Sequence, residues 1–371
     1  MDKIKVVVIG QTPPPYHGQS MMIERLVKAS LPRVEIHHVR MNFSQADSQI
    51  GQFGFSKITH LAQVVWQGIS ARFRSGARIL YYPPAGPQLT PLLRDIIILL
   101  CVRPFYRKTV FHFRAAGLSL TLGERPKIIQ LLARLAFGHA DGAIELSEHN
   151  PRDGAFIGAW KVAVILNGLE DSALPYLPLD RTGRDTVSLL YIGAIKEEKG
   201  AWVLIEAFNA LHQRGLPVRL TLVGEFRSPE IEAALRGYCK EHDLEGITDF
   251  AGSHVGDIKW AYFRQADILC FPTYFSSESF GNVSLEAMMF EMPVVASRWR
   301  GIPSVVQDGE TGLLVPIKDS AAFADALEKL IRDPELRRSM GIKGRERYLR
   351  EFSLEKHLDR MEEFLVEIAE S

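Results

Sequence analysis

Short apolar runs alternate with longer stretches of helical periodicity from one end of the chain to the other, a pattern that few folds accommodate. Strands separated by helices pair in parallel, and parallel sheets carry helices on both faces. Val6 to Ile9, Ile79 to Tyr82, Thr109 to Phe113, Gly142 to Leu146 and Val162 to Leu166 read as strands of a first α/β unit. Met21 to Ala29, Leu92 to Val102 and Lys127 to Phe137 read as its helices. A second unit repeats the pattern, with strands over Leu189 to Ile192, Arg219 to Val223, Ile247 to Phe250, Ile268 to Phe271, Val294 to Ala296 and Gly312 to Val315. Its helices fall on Ala201 to Arg214, Pro229 to His242, Gly256 to Ala266, Val283 to Phe290 and Ser320 to Asp333. Asp171 to Arg184, with two prolines, several charges and little periodicity, reads as a linker. At 371 residues the chain is long for one core, so two domains are expected.

The most informative stretch is Glu278-Ser-Phe-Gly-Asn-Val-Ser-Leu-Glu286. It follows the strand Ala266 to Pro272, so the loop Thr273 to Gly281 stands at a strand's carboxyl end, where open α/β sheets place ligands. A helix beginning near Asn282 aims its unpaired amides and the positive end of its dipole at that loop, which favours a phosphate. Ionised glutamates accept hydrogen bonds and suit hydroxyls rather than phosphate. A phosphate with sugar rings on both sides, a sugar nucleotide, meets both demands.

The spacing of Glu278 and Glu286 resembles the signature of the retaining glycosyltransferases of family 4, and the likeness continues along nearly the whole chain. Val6-Val-Val-Ile-Gly10 and Pro13-Pro-Pro-Tyr-His-Gly18-Gln resemble the family's first strand and its glycine loop, with His17 where a second glycine is common. Val164-Ile-Leu-Asn167-Gly168 resembles the entry to the second domain, and Leu189-Leu-Tyr-Ile-Gly193 with Lys199-Gly200 resembles that domain's first strand and phosphate loop. Pro293-Val-Val-Ala-Ser, Gly301-Ile-Pro303 and Asp308-Gly-Glu-Thr-Gly312-Leu-Leu-Val315 resemble its closing strands and loops. The family usually has arginine after the glycine matching Gly193; this chain has Ala194, and Lys196 is the nearest substitute.

The resemblance implies an α/β fold of the GT-B type, two Rossmann-like domains with parallel sheets facing a central cleft. Residues 1–165 would bind the acceptor, a helix at about 354–371 would pack back on them, and residues 166–353 would bind the nucleotide sugar. Lys199 would counter the charge that grows on the departing diphosphate; its plain alternative is a surface lysine ahead of a helix. Glu286 would accept hydrogen bonds from the ribose and Glu278 from the transferred sugar; alternatively they are a helix-stabilising and a solvated carboxylate. Gly193, Lys196, Ser279, Phe280, Gly281, Asn282, Val283 and Gly252 complete the expected donor site. His112 stands where family members often hold a histidine near the sugar, and Arg114, two residues on, shares its strand face. Arg114, His17 and Gly18 are candidates for the acceptor or diphosphate; structural roles remain open for all of these.

The formal net charge of zero conceals a division: residues up to Lys161 carry 20 Lys and Arg against 10 Asp and Glu, and the rest has the opposite excess. Arg72, Arg74 and Arg78, and Arg103, Arg107 and Lys108 beside the apolar stretch Pro91 to Val102, suit an anionic membrane surface or form an ordinary solvated shell over a core helix. No recognition helix or aromatic platform points to nucleic acid. The start shows no export signal, and the longest apolar run, Ile96 to Val102, falls far below the roughly 20 residues a membrane span needs. Cys101, Cys239 and Cys270, in apolar contexts, are expected to be buried thiols of a cytoplasmic protein, peripheral at the inner face of the membrane if the basic half docks there.

These readings converge on transfer of a hexose-type residue from a UDP- or GDP-sugar to a glycan or lipid-linked acceptor in cell-surface polysaccharide assembly. No cofactor and no metal is expected, because lysine and helix amides can take a divalent ion's place and no Asp-X-Asp motif is present. The alternatives are a sugar-nucleotide epimerase of the same fold and a non-catalytic sugar-nucleotide-binding partner, for which Ala194 is the hint.

Overall fold

The computed structural model describes residues 3–14, 16–43, 55–181 and 183–371. Met1, Asp2 and Pro15 of the first-loop motif lie outside them. Contacts divide the chain into a unit of Met1–Gly168 with Leu354–Ser371, and a second of Leu169–Ser353.

The first unit is a six-stranded parallel sheet built from β1 (Ile4–Gly10), β2 (Val34–Arg40), β3 (Ile79–Tyr82), β4 (Lys108–Phe113), β5 (Gly142–Glu145) and β6 (Lys161–Val164). Their order is β2-β1-β3-β4-β5-β6. Side chains alternate between the faces of a strand, and the two faces carry separate cores. Val7, Ile9, Leu80, Tyr82, Phe111 and Phe113 pack under helices Phe55–Ser75, Leu89–Val102 and Lys127–Phe137. Val6, Val8, Ile79, Tyr81, Val110 and Ile144 pack under helices Gly18–Lys28 and Leu354–Glu370. Both faces are covered, so the interior strands of the sheet are largely apolar, whereas the edge strand β2 is not.

The second unit repeats the plan with β7 (Val187–Ile192), β8 (Val218–Val223), β9 (Thr248–Gly252), β10 (Ile268–Phe271), β11 (Val294–Ser297) and β12 (Gly312–Val315), in the order β12-β11-β10-β7-β8-β9. Leu189, Tyr191, Leu220 and Leu222 face helices Ala201–Gln213 and Ser320–Arg332. Helix Pro334–Glu351 approaches Asn282–Met289 through two glycines: a Cβ on Gly341 would stand 2.1 Å from the Glu291 carbonyl oxygen, and one on Gly344 would stand 3.3 Å from Met288. Among the described residues no helix is long and apolar enough to cross a membrane.

Two features depart from the sequence reading. Strand β2 and helices Phe55–Ser75 and Pro334–Glu351 had no assignment; β2 is an edge strand with polar Glu35, His37 and His38 in it, and the last helix buries glycines where a side-chain stripe is usual. Cys101 is exposed rather than buried, because it sits on the outward side of a helix whose inward side is Leu92, Ile96, Leu99 and Val102. Cys239 and Cys270 are buried.

Candidate active site

In the second unit the sheet order reverses between β7 and β10, the place where an open α/β sheet leaves a crevice at its strand ends. Lys196 and Lys199 lie on the loop that follows β7, and Glu278 lies on the loop that follows β10. The two loops meet there. Lys199 Nζ is 2.5 Å from Glu278 Oε2, with both side chains largely buried. Backbone bonds bind the same loops, from Tyr274 N–H to the Glu198 carbonyl at 2.8 Å and from Glu278 N–H to the Phe275 carbonyl at 3.0 Å. The Phe275 ring gathers both lysines, with Lys196 Nζ 3.7 Å and Lys199 Nζ 4.9 Å from its centre. Trp299 Nε1–H donates to the Phe275 carbonyl at 2.9 Å and holds that platform in place.

Glycines make these approaches possible. Gly193, Gly224 and Gly252 follow or end three neighbouring strands, with Gly193 N–H bonded to the Val223 carbonyl and Gly224 N–H to the Gly252 carbonyl. A Cβ on Gly224 would lie 1.8 Å from the Gly193 carbonyl oxygen. Gly281 takes a left-handed conformation (φ 82°) as the cap of helix Asn282–Met289, so Asn282 and Val283 open that helix beside buried Ser279 and Phe280. No capping side chain bonds this helix start, whose amides and positive dipole end are suited to an anion.

Glu286 is engaged from a direction the sequence did not reveal. Lys259 Nζ, on helix Gly256–Gln265, is 2.6 Å from Glu286 Oε1, and the same cation lies 4.9 Å from the Trp260 ring. Lys196 also sits in a lowered-pKa setting: burial disfavours its charge, Glu198 at 3.5 Å partly restores it, and Lys199 opposes it. Burial pushes the Tyr191 phenol up, and the charge of Glu278 adds to the effect. Tyr191 O–H donates to the Ala194 carbonyl at 2.8 Å, so the residue where the family usually has arginine is used through its backbone.

In the first unit, His17 accepts from Ser20 N–H through Nδ1 at 3.2 Å and caps helix Gly18–Lys28, while its own N–H donates to Ser20 Oγ. This is a helix-starting role for His17 and Gly18. His112, fully buried, lies 2.6 Å through Nδ1 from the Tyr81 hydroxyl. Arg114, which donates from Nη1 to Asn167 Oδ1 at 2.9 Å, also hydrogen-bonds the Tyr81 oxygen. Which of Tyr81 and His112 Nδ1 donates follows from the tautomer of the imidazole. His357, from helix Leu354–Glu370, turns Nδ1 to the Leu166 carbonyl at 2.8 Å, which puts its proton on that nitrogen. Both Nε2 atoms are buried without a hydrogen-bond partner. Burial and the positive charge of Arg114 hold His112 well below its ordinary 6.5 and His357 at about 3.

Tyr81, His357 and Asn167 around His112, and Lys259, Phe275 and Trp299 in the second unit, are site residues the sequence reading missed. A lysine in an otherwise amphipathic helix and a phenylalanine in a loop carry no signal in one dimension. Among the described residues, no group of three or more His, Cys, Asp or Glu side chains is arranged to hold a metal ion.

Residues 182–347 match the family model described as glycosyl transferases group 1. The chain is 38% identical over 248 residues to a D-inositol 3-phosphate glycosyltransferase of Pseudarthrobacter chlorophenolicus, covering 62% of this chain and 57% of that protein. It is 34% identical over 173 residues to the capsular polysaccharide biosynthesis glycosyltransferase CapM of Staphylococcus aureus, covering 46% of this chain and 43% of that one. The chain thus spans about half the length of these curated relatives. Among solved structures it resembles sucrose-phosphate synthase from Thermosynechococcus elongatus, with TM-score 0.72, 20% identity and 100% of both chains covered. It also resembles HepE of Anabaena, solved with UDP and glucose, with TM-score 0.71, 18% identity, and 98% of this chain and 100% of that one covered.

Proposed function

We propose that this chain, whose residues 182–347 match the glycosyl transferases group 1 model and whose fold is of the GT-B type, transfers a sugar from a nucleotide diphosphate sugar to a glycan or lipid-linked acceptor with retention of configuration. The observation that carries this reading is the Lys199–Glu278 pair at the switch point of the second sheet, beside the uncapped start of helix Asn282–Met289. A cation and a set of amides provide for the diphosphate, and two carboxylates provide for hydroxyls. Lys199 and Lys196 stabilise the leaving diphosphate, Glu278 holds the transferred sugar, and Glu286 holds the ribose. Lys196, on the Phe275 ring, supplies a second charge in the loop that has Ala194. The name of CapM, a capsular polysaccharide biosynthesis glycosyltransferase, supports polysaccharide assembly as the setting.

The test is donor turnover. Purified protein is incubated with a panel of nucleotide sugars and a membrane lipid extract, with Lys199→Ala and Glu278→Ala in parallel. Release of one nucleoside diphosphate, coupled to a heavier glycolipid and lost by about 100-fold or more in both variants, is expected. Donor binding without turnover under all conditions would replace transfer with a sugar-nucleotide-binding role. Added EDTA should leave the rate unchanged, in keeping with a diphosphate neutralised by lysine.

A further inference from the structure

Helices Phe55–Ser75, Leu89–Val102 and Lys127–Phe137 form one layer over the same face of the first sheet, the middle one packing against both others. Each buries one side in that core and also carries apolar residues on its outward side. On the first helix Ile58, Trp66 and Phe73 are exposed, with Trp66 71% and Phe73 67% accessible. The second exposes Leu89, Leu93, Ile97 and Leu100, at spacings of four, four and three. The third exposes Ile128, Leu131 and Leu135, at spacings of three and four. Residues at such spacings share one side of a helix, so neighbouring helices present parallel outward stripes. Soluble surfaces scatter apolar residues singly; a set this extensive marks a contact face.

The exposed charges on the three helices have one sign. The first and third helices contain no Asp or Glu, and the second contains only Asp95. Asp95 is buried and bonded to Arg94, to Tyr82 O–H and to the Ala85 amide. Arg74, Lys127 and Arg134 are exposed on the helices, and at their margin Arg107 is exposed together with one acid, Glu124. Two further arginines tie the helices' ends together: Arg72 Nε donates to the Phe105 carbonyl, and Arg103 donates to those of Ala136 and His139. Phe105 and Phe73, both exposed, meet edge to face with centres 6.1 Å apart.

We propose that this helical layer is a docking face for an anionic lipid bilayer, its apolar and aromatic stripes entering the headgroup region and its arginines and lysine meeting lipid phosphates. Charge complementarity selects this occupant. A second copy of the chain would set the same basic residues against each other about a two-fold axis, whereas anionic lipid attracts them and accepts the aromatic side chains at its interface. The face lies outside residues 182–347, so the proposal stands apart from the transfer reaction.

Co-sedimentation of the full chain with vesicles tests it. Vesicles of phosphatidylcholine and phosphatidylglycerol in equal parts are expected to retain the protein at low salt, and phosphatidylcholine alone to leave it in solution. Trp66→Ser with Phe73→Ser, and separately Arg74→Gln with Arg134→Gln, change only exposed positions; melting curves matching the parent confirm their folding. The arginine pair should weaken retention about 30-fold, taking roughly 1 kcal/mol per charge at the surface. Lys240→Gln with Lys343→Gln, an equal loss of charge at exposed positions of the second unit, should retain it as the parent does. The proposal falls if the parent ignores anionic vesicles or if both face variants bind unchanged. It also falls if light scattering finds a dimer that Trp66→Ser with Phe73→Ser dissolves, which would make the face a self-interface.

Discussion

Lys259 Nζ stands 2.6 Å from Oε1 of Glu286, joining the two residues across 27 positions of sequence. The cation holds one carboxylate oxygen and thereby orients the other; if Glu286 binds the ribose as proposed, Lys259 acts on it through Glu286. Lys259→Ala is expected to raise KM for the nucleotide sugar about fivefold, the worth of roughly 1 kcal/mol of orientation, with kcat nearly unchanged. Lys259→Arg should recover most of it. A fall in kcat with constant KM would place Lys259 in the chemical step instead.

Lys196 carries its charge under a burial penalty that lowers its pKa from the ordinary 10.5. A lysine held this way loses its proton at lower pH than an exposed one, and with it the attraction for a diphosphate. Nucleoside diphosphate affinity should therefore decline on the alkaline side, and Lys196→Arg, which stays protonated, should flatten the decline. Calorimetric titration across alkaline pH measures it; identical profiles for parent and variant would separate Lys196 from the anion.

Two glycines with similar backbone angles should respond differently to alanine. Gly200 has φ 82° and a Cβ there would lie 2.1 Å from the Pro272 carbonyl oxygen, whereas Gly252 has φ 77° with nothing within 4 Å. Gly252→Ala is expected to cost about 1 kcal/mol from the left-handed angle alone. Gly200→Ala adds a backbone collision and should cost more than about 3 kcal/mol, or prevent folding of the second unit. Urea midpoints of the two variants give the comparison.

The buried histidines predict acid sensitivity in the first unit. Folding depresses the pKa of His357 to about 3, and burial and Arg114 also depress that of His112. The unfolded chain takes up these protons near 6.5 and the folded chain does not. The stability they provide is therefore complete above pH 6.5 and is lost as pH falls toward the folded values. For His357 this amounts to about 2 kcal/mol at pH 5. Melting temperature should drop between pH 7 and pH 5, and His357→Gln should make the drop shallower.

Parallel strands were legible because burial on both faces demands unbroken apolar runs, which is why β3, β10 and β12 match their expected limits residue for residue. Strand β2 escaped notice because an edge strand tolerates Glu35, His37 and His38. Helix Phe55–Ser75 escaped because apolar residues on its outer side blur the polar face that marks an amphipathic helix. The loops holding Lys199 and Glu278 could be named in one dimension, since glycine, lysine and carboxylate after an apolar run are local signals.

Local pattern, then, was sufficient for the strand-and-helix alternation, for two α/β units and for the loops at their strand ends, because those properties depend on residues a few positions apart. The partners did not follow from it. Lys199 meets Glu278 across 79 residues, and Phe275 gathers Lys196 and Lys199, because β7 and β10 are neighbours where the sheet order reverses. His357 reaches the surroundings of His112 from a helix near the far end of the chain. Such encounters are set by strand order and close packing, which bring distant side chains within a few ångströms and leave no trace in the spacing between them.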